Sequence, residues 1–324
     1  MITKDHLKNK NVLLRLDLDV PVKDGLVVNE FRLQASLKTI KFCLENARKT
    51  IIIGHLGRPN GSDPTLSLEI IRKSLNILLN RDIPLIPSGF SPGERWTGES
   101  PLLLQENIRF DPREEKNDRG YAEELVFGAD LYVYDSFANY RISASLTQIP
   151  EVIPTLTGFR FDEEVSTLKK VINDPPRPSL LIVSGAKLDK LDIIKKIMPH
   201  FDQVFLGGKL GKPEDRTPDG LDISEKTTSL IVDAINMSRT IVLNGPLGYY
   251  EDGVHGVATK TVLQAIIDSK VFSVIGGGDT LAAIPSLGFE YTSFNFVSTG
   301  GGAMLEFLAT GTHPLLETLK SAKV

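Results

Sequence analysis

The stretch Val271-Phe272-Ser273-Val274-Ile275-Gly276-Gly277-Gly278-Asp279-Thr280 decides the class of this chain. An apolar, β-branched run ends in three glycines and then enters a helix-like segment. The pattern repeats at Phe294–Val297, which leads into Ser298-Thr299-Gly300-Gly301-Gly302. Strand, glycine turn and helix leave backbone N–H groups and a helix N-terminus free to hold an anion. Asp279 and Thr280 add a carboxylate and a hydroxyl, which suit a magnesium–nucleotide complex. The N-terminal half carries Arg32, Arg58, Arg109 and Arg141, each after a strand-like run or in a turn. One half suits nucleotide phosphates and the other a small multi-anionic substrate. Phosphoryl transfer joins the two.

Working outward, short apolar runs alternate with helix-length segments over the whole chain. Strands are predicted at Val12–Leu16, Thr50–Ile53, Leu102–Leu104, Leu131–Tyr134, Leu180–Val183, Gln203–Leu206, Ile241–Leu243, Val271–Ile275 and Phe294–Val297. Helices are predicted at Arg32–Ala47, Leu66–Leu79, Gly120–Phe127, Ile193–Met198, Ser224–Ile235 and Ala258–Ser269. Ser224 is placed as one N-cap and Asp279 as another. The alternation predicts α/β architecture with parallel sheets covered by helices on both faces. A further helix over Asp162–Ile172, stopped by the proline-rich Asp174–Pro178, is expected to connect two halves.

At 324 residues the chain has room for about two domains. A net charge of −4 argues against a nucleic-acid partner, which would call for a basic face. No apolar run is long enough to span a bilayer, and the N-terminus carries no apolar signal segment. The lone Cys43 excludes an internal disulfide and sits among Ile40, Phe42 and Leu44. It reads as a packed core thiol in a cytoplasmic protein.

Other turns are less decisive alone. Arg15-Leu16-Asp17-Leu18-Asp19-Val20-Pro21 puts two carboxylates at a strand end, where either a ligand or Asx hydrogen bonds would account for them. His55-Leu56-Gly57-Arg58-Pro59 offers an arginine that could grip a phosphate or carboxylate with two bonds. A single arginine after a strand is ordinarily a surface ion pair; four within one half are a signal. Ser184-Gly185-Ala186-Lys187-Leu188-Asp189-Lys190 brings two lysines to a strand-to-helix turn but is not a Walker A loop. Leu281 and Leu305 occupy the last position of a dinucleotide fingerprint, so a dehydrogenase is disfavoured. Asn244-Gly245-Pro246-Leu247-Gly248 reads equally as a tight turn. The five histidines show no zinc-ligand spacing.

Taken in order, these stretches resemble the phosphoglycerate kinase family along nearly the whole chain. The matching motifs are Arg15–Pro21, Phe31-Arg32-Leu33, His55–Pro59, Glu106–Phe110, Asp135-Ser136-Phe137, Gly185-Ala186-Lys187, Gly220-Leu221-Asp222, Asn244–Gly248, Gly276–Thr280 and Ser298–Ala303. The resemblance implies two parallel-sheet α/β domains facing a central cleft. Residues 1–157 would bind phosphoglycerate, 158–173 form the interdomain helix and 174–305 bind nucleotide, with 306–324 returning to the N-terminal domain. It implies a cytoplasmic, monomeric glycolytic phosphotransferase with a carboxyl acceptor. Such an enzyme moves a phosphoryl group reversibly between 1,3-bisphosphoglycerate and Mg2+-bound ADP, giving 3-phosphoglycerate and ATP.

By the same resemblance, Asp17, Asp19, Arg32, His55, Arg58, Arg109 and Arg141 would line the substrate site, with Arg32 nearest the transferring group. Gly185, Ala186, Lys187, Lys190, Gly207, Gly208, Leu221, Asn244, Pro246, Glu251, Gly278, Asp279, Thr280 and Gly302 would line the nucleotide site. Arg32, Lys190, Gly300 and Gly301 would be catalytic, and Asp279 would hold the metal.

The chain departs from the family at four places. Asp19 stands where the family has Asn. Ala138–Ser143 keeps Arg141 but lacks two histidines. The run from Lys187 to Lys190 is one residue short. Lys209 replaces a third glycine, after which several dozen family residues beside the adenine pocket are missing. These departures keep two alternatives open: a kinase or phosphatase for another acyl phosphate, or a binding protein that keeps the fold and has lost turnover.

Overall fold

The apolar runs become the central strands of two parallel sheets. The structure, a computed structural model, describes residues 1–89, 91, 93–185 and 191–322. The first sheet contains β1 (Asn11–Leu16), β4 (Lys49–Ile53), β5 (Leu85–Ile86), β6 (Leu102–Gln105), β7 (Leu131–Asp135) and β8 (Thr155–Thr157). Their order is β5-β6-β4-β1-β7-β8, all parallel, and β2 (Val22–Lys23) with β3 (Leu26–Val27) forms a separate antiparallel hairpin. The second sheet contains β9 (Ser179–Val183), β10 (Gln203–Leu206), β11 (Thr240–Asn244), β12 (Phe272–Gly276) and β13 (Phe296–Val297). It is also wholly parallel, in the order β10-β9-β11-β12-β13.

Every residue of β1, β4, β7, β9 and β11 is buried. That is why these segments read as continuous apolar runs: helices cover both faces of a parallel sheet, so no position faces water. Each buried Ile, Leu or Val there contributes about 1.5–3 kcal/mol relative to exposure. The α/β class is thus as expected, and the predicted strands and helices are present with ends moved by a residue or a few.

Three expectations need correction. The short strands β5 and β8 and the β2–β3 hairpin lacked long apolar runs and were not anticipated. The first turn before Glu69–Leu79 is a separate 3-10 segment, Pro64–Leu66, capped by Asp63, whose side chain accepts from Thr65 N. Asp279 is no N-cap, because the helix Gly278–Ser286 begins one residue earlier, with Gly277 in the capping position. Ser224 does cap Glu225–Met237, its hydroxyl accepting from Thr227 N at 3.3 Å. Cys43 is buried and free, and burial pushes its thiol up to about 12.

By contacts the chain divides into one unit of residues 1–165 with 313–324 and another of residues 166–312. The helix Phe159–Asn173 carries the chain across that boundary, just before Pro175 and Pro176 prevent its extension. The chain re-enters the first unit at His313. This residue is 1% exposed, and its ring packs 5.4 Å from Phe137 and 5.0 Å from Phe161, centroid to centroid. His313 Nδ1 accepts from Leu315 N at 3.2 Å, so Nε2 carries the proton and donates to Phe137 O at 3.2 Å.

Burial holds the His313 pKa down to about 4. Unfolded, it would protonate near 6.5; folded, it resists until about pH 4, so its stabilising effect is present above 6.5 and lost as pH falls to 4. The full span is worth about 3 kcal/mol. Urea titrations should therefore show the stability advantage of the native chain over His313→Leu shrinking between pH 7 and pH 4.5. An advantage that grew on acidification would contradict this account of His313.

Candidate active site

In the first unit, ligand-type residues leave the C-terminal ends of β1, β4 and β6, where side chains of parallel sheets converge. Gly57 turns the chain after β4 with φ +64, and its N–H donates to Asp19 Oδ1 at 2.9 Å. Its carbonyl accepts from Arg109 Nη1 at 2.9 Å. Arg32 lies in the first turn of the helix Phe31–Asn46, with Nε 3.4 Å from Asp17 Oδ2 and Nη1 donating to the main-chain oxygen of Asp19. Asp17, Asp19, Arg32, His55 and Arg109 are thus brought together around one turn. Arg58 adds its charge to His55, while its own side chain is exposed. Arg141 is exposed as well, and among the described residues no hydrogen bond or ion pair ties it to this group.

The electrostatics follow from burial among arginines. Desolvation raises the Asp17 pKa, opposed by the Arg32 charge. His55, 4% exposed, is held well below its ordinary range by burial and by Arg15, Arg109, Arg32 and Arg58. It stays neutral at physiological pH. Arg15 belongs to the β1 motif, and its sequence position alone does not assign it to the site. It is fully buried, and Nη2 donates to His55 Nδ1 at 2.6 Å. Only the long-range contact with Ser145 and His55 reveals its place, and sequence spacing carries no such signal.

In the second unit, turns after all five strands meet backbone to backbone. A Cβ on Gly301 would lie 2.6 Å from Gly277 Cα, and one on Gly208 would lie 2.8 Å from Gly185 O. Gly277 also holds φ +107, a region L side chains rarely adopt. Helices Gly278–Ser286 and Gly301–Thr310 start side by side, and neither has a side-chain cap. Their first N–H groups therefore remain available to an anion. Asn244 Nδ2 donates to Gly301 O at 3.2 Å, and Thr280, fully buried, accepts from Gly245 N at 2.8 Å. One lone pair of the Thr280 oxygen is thereby engaged in holding the β11 turn, and its proton is left to donate to an anion.

Gly278 and Asp279 are exposed at the helix start, Gly300 is buried and Gly302 half-buried. Gly207 is buried, Pro246 half-buried, and Leu221 and Glu251 are exposed. Ala186, Lys187 and Lys190 lie outside the described residues. Asp279 presents a single hard oxygen donor, and no group of three His, Cys, Asp or Glu able to hold a metal occurs among the described residues. That donor set fits Mg2+, which takes most of its ligands from phosphate and water rather than from a protein cage.

The stretch that follows β10 is short. Two 3-10 turns, Gly208–Leu210 and Pro213–Asp215, lead to an antiparallel bridge between Arg216 and Ile223. His255 fastens the enclosed loop, with Nε2 2.9 Å from Asp219 Oδ2 and Nδ1 2.5 Å from Asp252 Oδ2. Both carboxylates raise the histidine pKa and are themselves held down to about 2. Lys209 is exposed at the start of this stretch, its N–H donating to Gly185 O at 3.0 Å.

The family model for phosphoglycerate kinase matches residues 2–213 and 212–311. The chain belongs to the phosphoglycerate kinase family. A phosphoglycerate kinase of Thermus thermophilus is 32% identical over 381 residues, covering 97% of this chain and 97% of that protein. One of Finegoldia magna is 31% identical over 373 residues, covering 94% of each. The crystal structure of the phosphoglycerate kinase of Pyrococcus horikoshii superposes with a TM-score of 0.85 at 27% identity, covering 97% of this chain and 96% of that one. Both curated alignments run longer than the 324 residues present here, so these relatives contain segments this chain lacks. The two matched stretches meet at Lys212-Pro213, which is where family residues are expected to be missing.

Proposed function

We propose that this chain transfers a phosphoryl group reversibly between 1,3-bisphosphoglycerate and magnesium ADP, yielding 3-phosphoglycerate and ATP. The observation that carries this reading is the pair of adjacent, uncapped helix N-termini at Gly277–Gly278 and Gly300–Gly301, built in a chain that belongs to the phosphoglycerate kinase family. Close packing of the turns accounts for Gly277 and Gly301, but a purely structural role requires neither the open Gly278, whose Cβ would meet nothing within 4 Å, nor Asp279 beside it.

In this reading Asp17, Asp19, Arg32, His55, Arg58, Arg109 and Arg141 hold phosphoglycerate. Gly185, Gly207, Gly208, Leu221, Asn244, Pro246, Glu251, Gly278, Thr280 and Gly302 hold the nucleotide, together with Ala186, Lys187 and Lys190. A loose phosphoryl transition state needs no protein nucleophile; it needs positive charge and N–H donors around the equatorial oxygens. Arg32 and Lys190 supply the charge and the first N–H groups of the helix at Gly301 supply donors, with Gly300 N bonded to Ser298 Oγ at 3.2 Å and so holding that turn in place. Mg2+ bound at Asp279 would neutralise charge on the phosphates. The protein works as a cytoplasmic monomer.

Asp19 is the unusual member. Its carboxylate is partly occupied by Gly57 N, yet its side chain stays 43% exposed with Oδ2 3.9 Å from His55 Nε2. Asp19→Asn keeps an oxygen for Gly57 N while removing a negative charge from beside an anionic substrate. The KM for 3-phosphoglycerate should fall roughly threefold to fivefold, the scale of one partly exposed charge, and by less in high salt. An unchanged or higher KM would place the ligand elsewhere.

A coupled assay of ATP consumption dependent on 3-phosphoglycerate and magnesium tests the proposal. Turnover with a different acyl phosphate alone, or nucleotide binding without turnover, would replace it with one of the two alternatives above.

A further inference from the structure

Arg15 is fully buried, and among the described residues no carboxylate pairs with it directly. Nη1 donates to Leu16 O, Nη2 to His55 Nδ1 at 2.6 Å and Nε to Ser145 Oγ at 3.3 Å. Ser145 Oγ in turn donates to Glu114 Oε1 at 2.6 Å, and Ser145 N donates to Glu114 Oε2 at 3.0 Å. Glu114 is 1% exposed, so a buried carboxylate sits one hydroxyl away from Arg15. The direction of each bond is forced. A hydroxyl has one proton, which goes to the carboxylate, leaving its lone pairs for Arg15. A guanidinium only donates, so His55 Nδ1 must accept and cannot carry hydrogen. The imidazole proton is left on Nε2.

We propose that Glu114, Ser145 and Arg15 form a positioning chain that locks His55 as the neutral, Nε2-protonated tautomer and so makes it a hydrogen-bond donor to the anionic substrate. The second half of this statement rests on the function proposed above. The groups facing His55 are Arg15, Arg32, Arg58 and Arg109, with Asp19 Oδ2 3.9 Å from Nε2. The opposite tautomer would turn a lone pair toward the same anion, and an imidazolium would break the bond from Arg15. A locked neutral donor avoids both. Glu114 and Ser145 act through Arg15 and touch no substrate, so they are positioning residues.

The test has a spectroscopic and a kinetic reading. In the full chain without ligand, 15N-imidazole spectra should show His55 neutral, with hydrogen on Nε2, from pH 5 to pH 8. Ser145→Ala removes the relay hydroxyl while leaving the strand and turn. It should produce a tautomer mixture and raise the KM for 3-phosphoglycerate roughly threefold to tenfold, the scale of one hydrogen bond, with kcat within about twofold. Ser145→Thr restores the hydroxyl and should restore both readings. A native His55 that titrates near its ordinary value, or carries hydrogen on Nδ1, would overturn the proposal even if Ser145→Ala fails to fold. So would a folded Ser145→Ala with native spectrum and native KM. A locked His55 in a chain that neither binds nor turns over 3-phosphoglycerate would overturn the ligand assignment and leave the positioning chain standing.

Discussion

Arg32→Ala will lower kcat roughly a hundredfold to a thousandfold, the usual cost of removing one preorganised donor to transition-state charge. The KM for 3-phosphoglycerate will move far less. In the proposed reading His55, Arg58, Arg109 and Arg141 remain to bind the ground-state anion, whereas Arg32 acts on the group in transfer. Its guanidinium is held by the protein's own groups, between Asp17 Oδ2 at 3.4 Å and the Asp19 carbonyl, with the side chain 19% exposed. Little reorganisation is then needed when the phosphoryl group is in flight. Arg32→Lys should recover only part of the loss, because a point charge cannot reproduce the planar fork. Steady-state kinetics with both substrates varied separates the two parameters. A variant as active as the parent would remove Arg32 from phosphoryl transfer.

Gly301→Ala will damage stability and nucleotide binding together. The added methyl would sit 2.6 Å from Gly277 Cα, 3.1 Å from Gly277 N and 3.3 Å from Gly278 N. These are backbone atoms of the facing turn, so no flexible side chain can swing aside. The two turns must separate, at a cost of about 1–3 kcal/mol for an overpacked site. For a unit of this size that is a fall of about 3–10 °C in Tm. Separation also splays the two helix N-termini, and ADP affinity should drop roughly tenfold or more, a loss of about 1.4 kcal/mol. Gly278→Ala is the contrast for stability: its Cβ would meet nothing within 4 Å, so Tm should stay near the parent value. Calorimetry on both variants checks the pair. A Gly301→Ala chain with native Tm and native ADP affinity would show that the turns do not pack as described.

The parts of this molecule that were legible in the sequence are those with strong local signals. β1, β4, β7, β9 and β11 are buried on both faces, so each carries a run of apolar residues on consecutive positions that is recognisable without a partner. The glycine turns announce themselves because only glycine tolerates the approach of Gly301 to Gly277. The short strands β5 and β8 carry little local pattern, and β5 exists only because β6 lies beside it. Arg15 shows the other limit. On a strand whose every residue is buried, a charged side chain signals a partner, but Ser145 and His55 lie far along the chain and only folding brings them together. Asp279 reads as a helix cap from residue type alone; the structure gives the cap to Gly277, because a glycine there lets the facing turn come close.

The short connection after β10 has a similar lesson. The motif order exposed a missing segment, while the means of closing the gap, Asp219–His255–Asp252, depends on a histidine that is remote in sequence. Nothing local marks His255 for that task.

This shortened chain is expected to transfer a phosphoryl group between a nucleotide and phosphoglycerate. The most direct measurement is ADP formation by the purified full chain supplied with ATP, magnesium and 3-phosphoglycerate, with each component omitted in turn. ADP formation should require all three and fall at least a hundredfold in Arg32→Ala. ADP formation that is indifferent to 3-phosphoglycerate, or its absence in a folded chain that still binds ADP, would contradict it.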